Sequence, residues 1–140
     1  MQVFIVGSPL ETARALDPKR LSKQIIECGQ ILDALNGAKA WSNHPCVLQY
    51  RGYDKWLKNY RRVLHLWNIW GIEHDFYNEM AIRGTPNWHT QEYYEQMKRR
   101  LYTKDHEHYK QWADLGFSDE NWYWSQDENK FIKYINGKRI

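Results

Sequence analysis

A chain of 140 residues, 42% of them hydrophobic, is long enough to bury a core without disulfides or metals, so one domain spanning residues 1–140 is expected. The net charge of +3 excludes a uniformly basic nucleic-acid coat, and no stretch approaches the roughly 20 apolar residues of a membrane span. The charge is uneven, because Lys19 to Arg62 holds nine basic residues against three acidic ones, a local balance of +6 that suits a phosphate-bearing partner.

Residues Gln2 to Val6 read as a short strand or extended arm, too short and without the basic lead of a signal peptide. With no targeting segment and no span, a soluble protein of the cytoplasm is expected, the host cytoplasm if the source is viral. Ser8-Pro9-Leu10-Glu11 is a capping box with proline at the first helical position, opening a helix over about Pro9 to Leu16. Asp17-Pro18 repeats the signal, and Asn36-Gly37 supplies an exit, giving a long helix from Pro18 to Leu35. Its Leu21, Ile25, Cys28, Leu32 and Leu35 recur at helical spacing and are expected inside. Arg20, Lys23, Gln24 and Glu27 then share the neighbouring flank.

A loop is expected from Asn36 to about Arg51, carrying Asn43-His44-Pro45. Gly52 to Trp70 is strongly amphipathic, with Tyr53, Trp56, Tyr60, Leu64 and Trp67 inside and Lys55, Lys58, Arg61 and Arg62 outside. Gly71 stops it. Shorter helices are expected over His74 to Arg83 and Gln91 to Leu101, the latter continuing or kinking into Asp105–Ala113. Asn136-Gly137 after Lys130–Ile135 is a hairpin signal, marginal as an isolated pair. The class is mainly α, with an extended N-terminus and a C-terminal β-hairpin.

Cys28 falls on an apolar helix face, which points to two reduced thiols in Cys28 and Cys46 rather than a disulfide. Aromatic residues make up 16% of the chain, with eight Trp and ten Tyr, more than a core of this size ordinarily uses. Such rings also suit stacking on bases. The Asn121-Trp122-Tyr123-Trp124 segment reads equally as a packing latch, a stacking platform or a dimer contact.

Glu27 is the acidic member of its flank, with Arg20, Lys23 and Gln24 beside it. A carboxylate so placed suits moving a proton or stabilising a positive sugar-like transition state, and it also suits a plain intrahelical ion pair. His44, in a loop, titrates near neutrality by default and is open to phosphate donation, acid–base work or no role. Arg100 and Lys104 lie one helical turn apart and can grip phosphates, while Asp105 caps the next helical segment. His106 and His108 point apart on a helix, so no metal is expected there. No glycine-rich phosphate loop, Ser-His-Asp order or cysteine-pair zinc spacing occurs, which removes those enzyme classes and any cofactor they require.

Leu16-Asp17, Arg20-Leu21, Lys23-Gln24 and Glu27, then Asn43-His44-Pro45 and Arg51-Gly52-Tyr53, then Arg100-Leu101, Lys104-Asp105 and Glu107-His108-Tyr109 stand in a telling order and spacing. They resemble the pyrimidine dimer DNA glycosylase or endonuclease V superfamily, through a small bacterial and phage branch. The resemblance runs over roughly Met1 to Tyr109. It implies a compact helical domain that clamps DNA and flips a nucleotide out of the duplex. It further implies a terminal amine that attacks the sugar to form an imine, and a helix glutamate that supports glycosyl cleavage and elimination. Glu27 falls at that glutamate, and Arg20 where the family enzymes carry a histidine. Two departures stand out: Ile26 and Gln30 replace the arginines that flank the glutamate, and Gln2 keeps Met1 in place, so the amine would be that of Met1.

The residues admit two functional readings. In the first, a glycosylase and abasic lyase uses Glu27 and Met1, with Arg20, Lys23, Gln24, His44, Arg100 and Lys104 holding phosphate and sugar. In the second, the same pocket holds a nucleotide without breaking it, as a phage sponge for cyclic nucleotide signals would, and symmetric ligands favour a homodimer. A helical partner-binding domain with neither activity is the plainest alternative.

Overall fold

Prolines open three helices of the first part of the chain, each behind a side chain that accepts a free backbone N–H. In the computed structural model, which describes residues 1–74, 84–117 and 120–140, α1 (Pro9–Ala15) starts behind Ser8, whose hydroxyl accepts from the Glu11 N–H. The second helix, α2 (Pro18–Leu35), starts behind Asp17, which accepts from the Arg20 N–H. Behind His44 comes α3 (Pro45–Tyr50), where imidazole Nδ1 accepts from the Cys46 N–H at 3.1 Å. Proline lacks the N–H that has no partner at a first helical position, so all three starts cost nothing in hydrogen bonds. The fourth, α4 (Asp54–Trp70), ends at Gly71, whose φ of 63° is the left-handed conformation that closes a helix.

The chain divides into two compact units, Met1–Asn87 and Trp88–Ile140. In the first, α2 packs on α4, α1 on α4 and α3 on α2. Leu21, Ile25, Cys28 and Ile31 of α2 meet Trp56, Leu57, Tyr60, Val63 and Leu64 of α4 in a core that also takes Val3, Phe4, Ile5 and Val6 of the N-terminal arm. Tyr50, Trp56 and Tyr60 stack within it, with ring centroids 5.9 and 5.1 Å apart. Each such side chain contributes about 1.5–3 kcal/mol by leaving water.

Several expectations are corrected here. The buried stripe of α2 is rotated toward Gln24, Ile31 and Ala34, leaving Leu32 and Leu35 only partly covered, because the arm packs over that side. The loop expected over Asn36 to Arg51 contains α3. The amphipathic helix begins at Asp54, two residues later than Gly52. The helix expected over His74 to Arg83 falls, from residue 75 on, outside the described residues.

In the second unit, α5 (Gln91–Lys104) is capped by the Thr90 hydroxyl and runs three residues beyond the expected Leu101. Asp105 ends it and accepts from the His108 N–H, but the chain then makes a turn and a 3-10 helix over Lys110–Leu115 rather than an α-helix. Three antiparallel strands close the unit: β1 (Glu120–Ser125), β2 (Lys130–Ile135) and β3 (Lys138–Arg139), in the order β1-β2-β3. The β2–β3 hairpin turns at Asn136 and Gly137, both at positive φ as this turn requires. The Trp-rich segment is the strand that gives this hairpin a third partner. Trp124 lies opposite Phe131 and 5.0 Å from Trp88, and Trp122 lies 6.3 Å from Tyr93, so two of its rings pack inward. Tyr123 points to the other face and is exposed.

The fold is mainly helical with a small C-terminal antiparallel sheet. Among the described residues, Cys28 and Cys46 are buried free thiols, no helix is long and apolar enough to cross a membrane, and no cluster of ligands could hold a metal ion.

Candidate functional site

The N-terminal arm is extended without belonging to a sheet, so its backbone groups need side-chain partners. Gln24 supplies two of them: its carbonyl oxygen accepts from the Phe4 N–H at 2.6 Å and its amide donates to the Gln2 carbonyl at 2.8 Å. The Tyr60 hydroxyl donates to the Phe4 carbonyl, and the Thr12 hydroxyl accepts from the Val6 N–H. One step further out, the Cys46 thiol donates to the Met1 carbonyl at 3.2 Å and the Gln2 N–H donates to Glu27 Oε2 at 3.2 Å. The first two residues are thus held between α2 and α3, and both remain partly exposed.

Glu27 is the centre of this arrangement. Its side chain is 13% exposed; the second oxygen, Oε1, faces Lys23 Nζ at 3.8 Å, while the lysine itself is largely in solvent. Such a pair is worth a few tenths of a kcal/mol, about 0.3–0.5, and does not explain why the carboxylate is tucked in. The hydrogen bond to Gln2 does.

His44 reports the proximity electrostatically. Its pKa lies below the ordinary 6.5, first because partial burial disfavours the cation, then because the positive charge of the Met1 amine opposes a second one, with Glu27 pulling in the other direction. The Met1 amine and Glu27 thus both act on the His44 imidazole. With Nδ1 committed to capping α3, the other imidazole nitrogen is the one that can meet a ligand. Cys28, behind this group in the core, has its thiol pushed up by burial, which makes it an inert packing residue.

The expected site residues separate on this geometry. Met1, Lys23, Glu27 and His44 come together on the first unit. Arg20 lies on α2 and gives Nη1 to the capping carboxylate of Asp17 at 3.1 Å. Gln24 is corrected: it is 1% exposed, with both ends of its amide engaged by the arm, so it positions the N-terminus and does not face a ligand. Arg100 and Lys104 lie on α5, in the second unit. Sequence reasoning missed Cys46, Tyr60 and Thr12 as anchors of the arm. Their side chains read as ordinary core or cap residues, and nothing in their spacing announces a backbone partner 45 or 56 residues away.

In the helical first unit, the first two residues are held beside a partly buried glutamate, and the histidine that caps α3 feels the charge of both the amine and the carboxylate. Residues 1–67 match the family model of pyrimidine dimer DNA glycosylase, and this bears out the resemblance read from the sequence over that span. The match covers the arm, α1, α2, α3 and most of α4, and ends before the second unit, so the Arg100–Tyr109 motifs lie outside it. No curated protein and no solved structure matches the chain.

Proposed function

We propose that this protein acts on DNA as a glycosylase and abasic lyase, with the Met1 amine as nucleophile and Glu27 as the proton-transfer group. The observation that carries the reading is the 3.2 Å hydrogen bond from the Gln2 N–H to Glu27, which sets the carboxylate one residue from the amine. In the reaction, the amine nitrogen attacks C1′ of the deoxyribose and the bond from C1′ to the base breaks. The base leaves with that electron pair and takes up a proton; the C1′–O4′ bond then breaks, O4′ takes up a proton, and the amine loses its protons as the imine forms. Removal of a C2′ proton then breaks the C3′–O bond and expels the phosphate, and water releases the sugar from the amine. Glu27 takes and returns these protons.

Lys23, Arg20 and the ligand-facing nitrogen of His44 hold phosphate and sugar beside it, while Arg100 and Lys104 of α5 are separate phosphate-gripping candidates of the second unit. The family's two arginines are absent beside Glu27, where Ile26 and Gln30 stand. Grip therefore falls more heavily on the basic residues of Lys19 to Arg62.

The test is incubation of the full chain with abasic-site duplex DNA and borohydride, followed by intact-mass and peptide mapping. The expected result is a covalent adduct on Met1 that drops sharply in Glu27→Gln. Absence of any adduct with abasic or ultraviolet-damaged DNA overturns the proposal. Recovery of an intact small nucleotide from the purified protein would replace it with the sequestering function.

A further inference from the structure

Three described residues other than glycine have positive φ: Trp41, Asn129 and Asn136. Asparagine tolerates that conformation because its side chain bonds locally; a bulky tryptophan does not, and φ of 64° at Trp41 is a strained choice. The strain is not repaid by burial, since Trp41 is 51% exposed. Nor is the position slack. The Ser42 N–H donates to the Lys39 carbonyl and the His44 N–H to the Trp41 carbonyl at 2.9 Å, two successive turns that fix the backbone on both sides of the indole. A held, strained and exposed aromatic residue is the pattern of a side chain kept for a ligand.

Its location says which ligand. The Trp41 ring meets the His44 ring edge-on, with centroids 5.8 Å apart, and His44 stands in the fields of the Met1 amine and Glu27. The indole is therefore at the rim of the candidate site, with a flat apolar surface open to solvent. We infer that Trp41 is the stacking platform of this site and takes the face of an unpaired nucleobase next to the sugar held at Glu27. The inference rests on the proposed DNA-acting function. It adds the group that would hold a base out of the duplex, a role for which hydrogen-bonding cations are unsuited and a rigid ring is suited.

The test uses the full chain and a duplex carrying a tetrahydrofuran abasic analogue, which has no aldehyde and so reports binding alone, with 2-aminopurine opposite the lesion. Trp41→Ala and Trp41→Gly are expected to weaken binding about tenfold or more, the loss of one base–ring stack, and Trp41→Phe to retain most of the affinity. The 2-aminopurine should be brighter in the Trp41→Ala complex than in the wild type, because its stacked quencher is gone. Trp41→Gly should melt no lower than the wild type, since glycine accepts the left-handed backbone without strain. Wild-type affinity in Trp41→Ala overturns the inference while leaving the proposed function standing. So does a Trp41→Gly protein that melts well below the wild type with Trp41→Phe as weak as Trp41→Ala, which would make the ring a structural brace. A wild type that binds neither this duplex nor its undamaged counterpart overturns both.

Discussion

The Gln2 backbone N–H donates to Glu27 Oε2 at 3.2 Å, across 25 residues of sequence, and this bond makes the N-terminus part of the site instead of a loose end. The carboxylate has one oxygen on the arm and the other toward Lys23. Its hold on the arm and the proton transfer proposed for it can be separated by substitution.

Glu27→Gln keeps an oxygen that accepts from Gln2 and removes the capacity to act as a base. The fold should be nearly unaffected, with melting close to the wild type, while formation of the trapped adduct on abasic DNA falls by about 10²–10⁴-fold, the usual contribution of a general acid–base group. Borohydride trapping alongside a thermal melt of the same sample reads both. Equal loss of stability and adduct would mean that Glu27 is only a brace.

Gln24→Leu tests the anchor itself. Leucine fits the apolar surroundings but removes the acceptor of the buried Phe4 N–H and one donor to the part-buried Gln2 carbonyl, and stranding a buried backbone group costs about 1–3 kcal/mol. Denaturant unfolding should show a loss of about 1–3 kcal/mol on the same basis. Hydrogen exchange should show the Phe4 amide losing protection before the amides of α4. A variant with wild-type stability would show that hydrophobic packing of Val3 to Val6 alone fixes the arm.

How far the sequence anticipates this depends on the physics each signal measures. Caps and stops are local chemistry, so Pro9, Pro18–Leu35, Gly71 and the Asn136-Gly137 turn are read correctly. His44 is legible as a loop residue but not as the cap of α3, because imidazole is an unusual cap and the helix behind it is a turn and a half. Gln24 is the instructive failure: periodicity places a polar residue outward, and only the docking of a distant arm makes burying an amide favourable. The pairing of Glu27 with residue 2 is invisible to spacing for the same reason. The Trp-rich segment carries no hairpin signal of its own, since the strand that receives it begins at Lys130, six residues after Trp124, beyond a turn over residues 126–129 that has no Asn-Gly or Asp-Gly pair.

The cap made by His44 carries a pH dependence whose direction is fixed. Partial burial, and after it the charge of the Met1 amine, lower the folded pKa below 6.5, and the neutral ring so favoured is the form whose Nδ1 can accept the hydrogen bond of the cap. Stability from the cap is complete above the unfolded value and is lost as pH falls through the folded one. Histidine titration by NMR should place His44 below 6.5, and acetylating the Met1 amine should raise it, because the repelling charge is removed. His44→Asn, which caps without titrating in this range, should be less sensitive to acid than the wild type. An unmoved His44 midpoint after acetylation would place the amine away from the imidazole and weaken the case for a shared site.

The second unit has its own acid sensitivity, at His89. The ring is half-buried, stacked on Tyr93 at 5.5 Å and edge-on to Trp88, and its Nδ1 is sealed from solvent. Burial pushes its pKa from the ordinary 6.5 down to about 3. The unfolded chain therefore binds a proton between these values that the folded chain refuses. Stability is whole above 6.5, declines by up to about 1.4 kcal/mol per pH unit as pH falls, and levels off below the folded value. The partial exposure of the ring keeps the slope under that ceiling. His89→Phe preserves the stacking surface and removes the proton, so its unfolding free energy should change less than that of the wild type between about pH 7 and about pH 4. Parallel pH profiles for the two proteins would show that the imidazole is solvated, and that the acid response of this unit comes from its carboxylates.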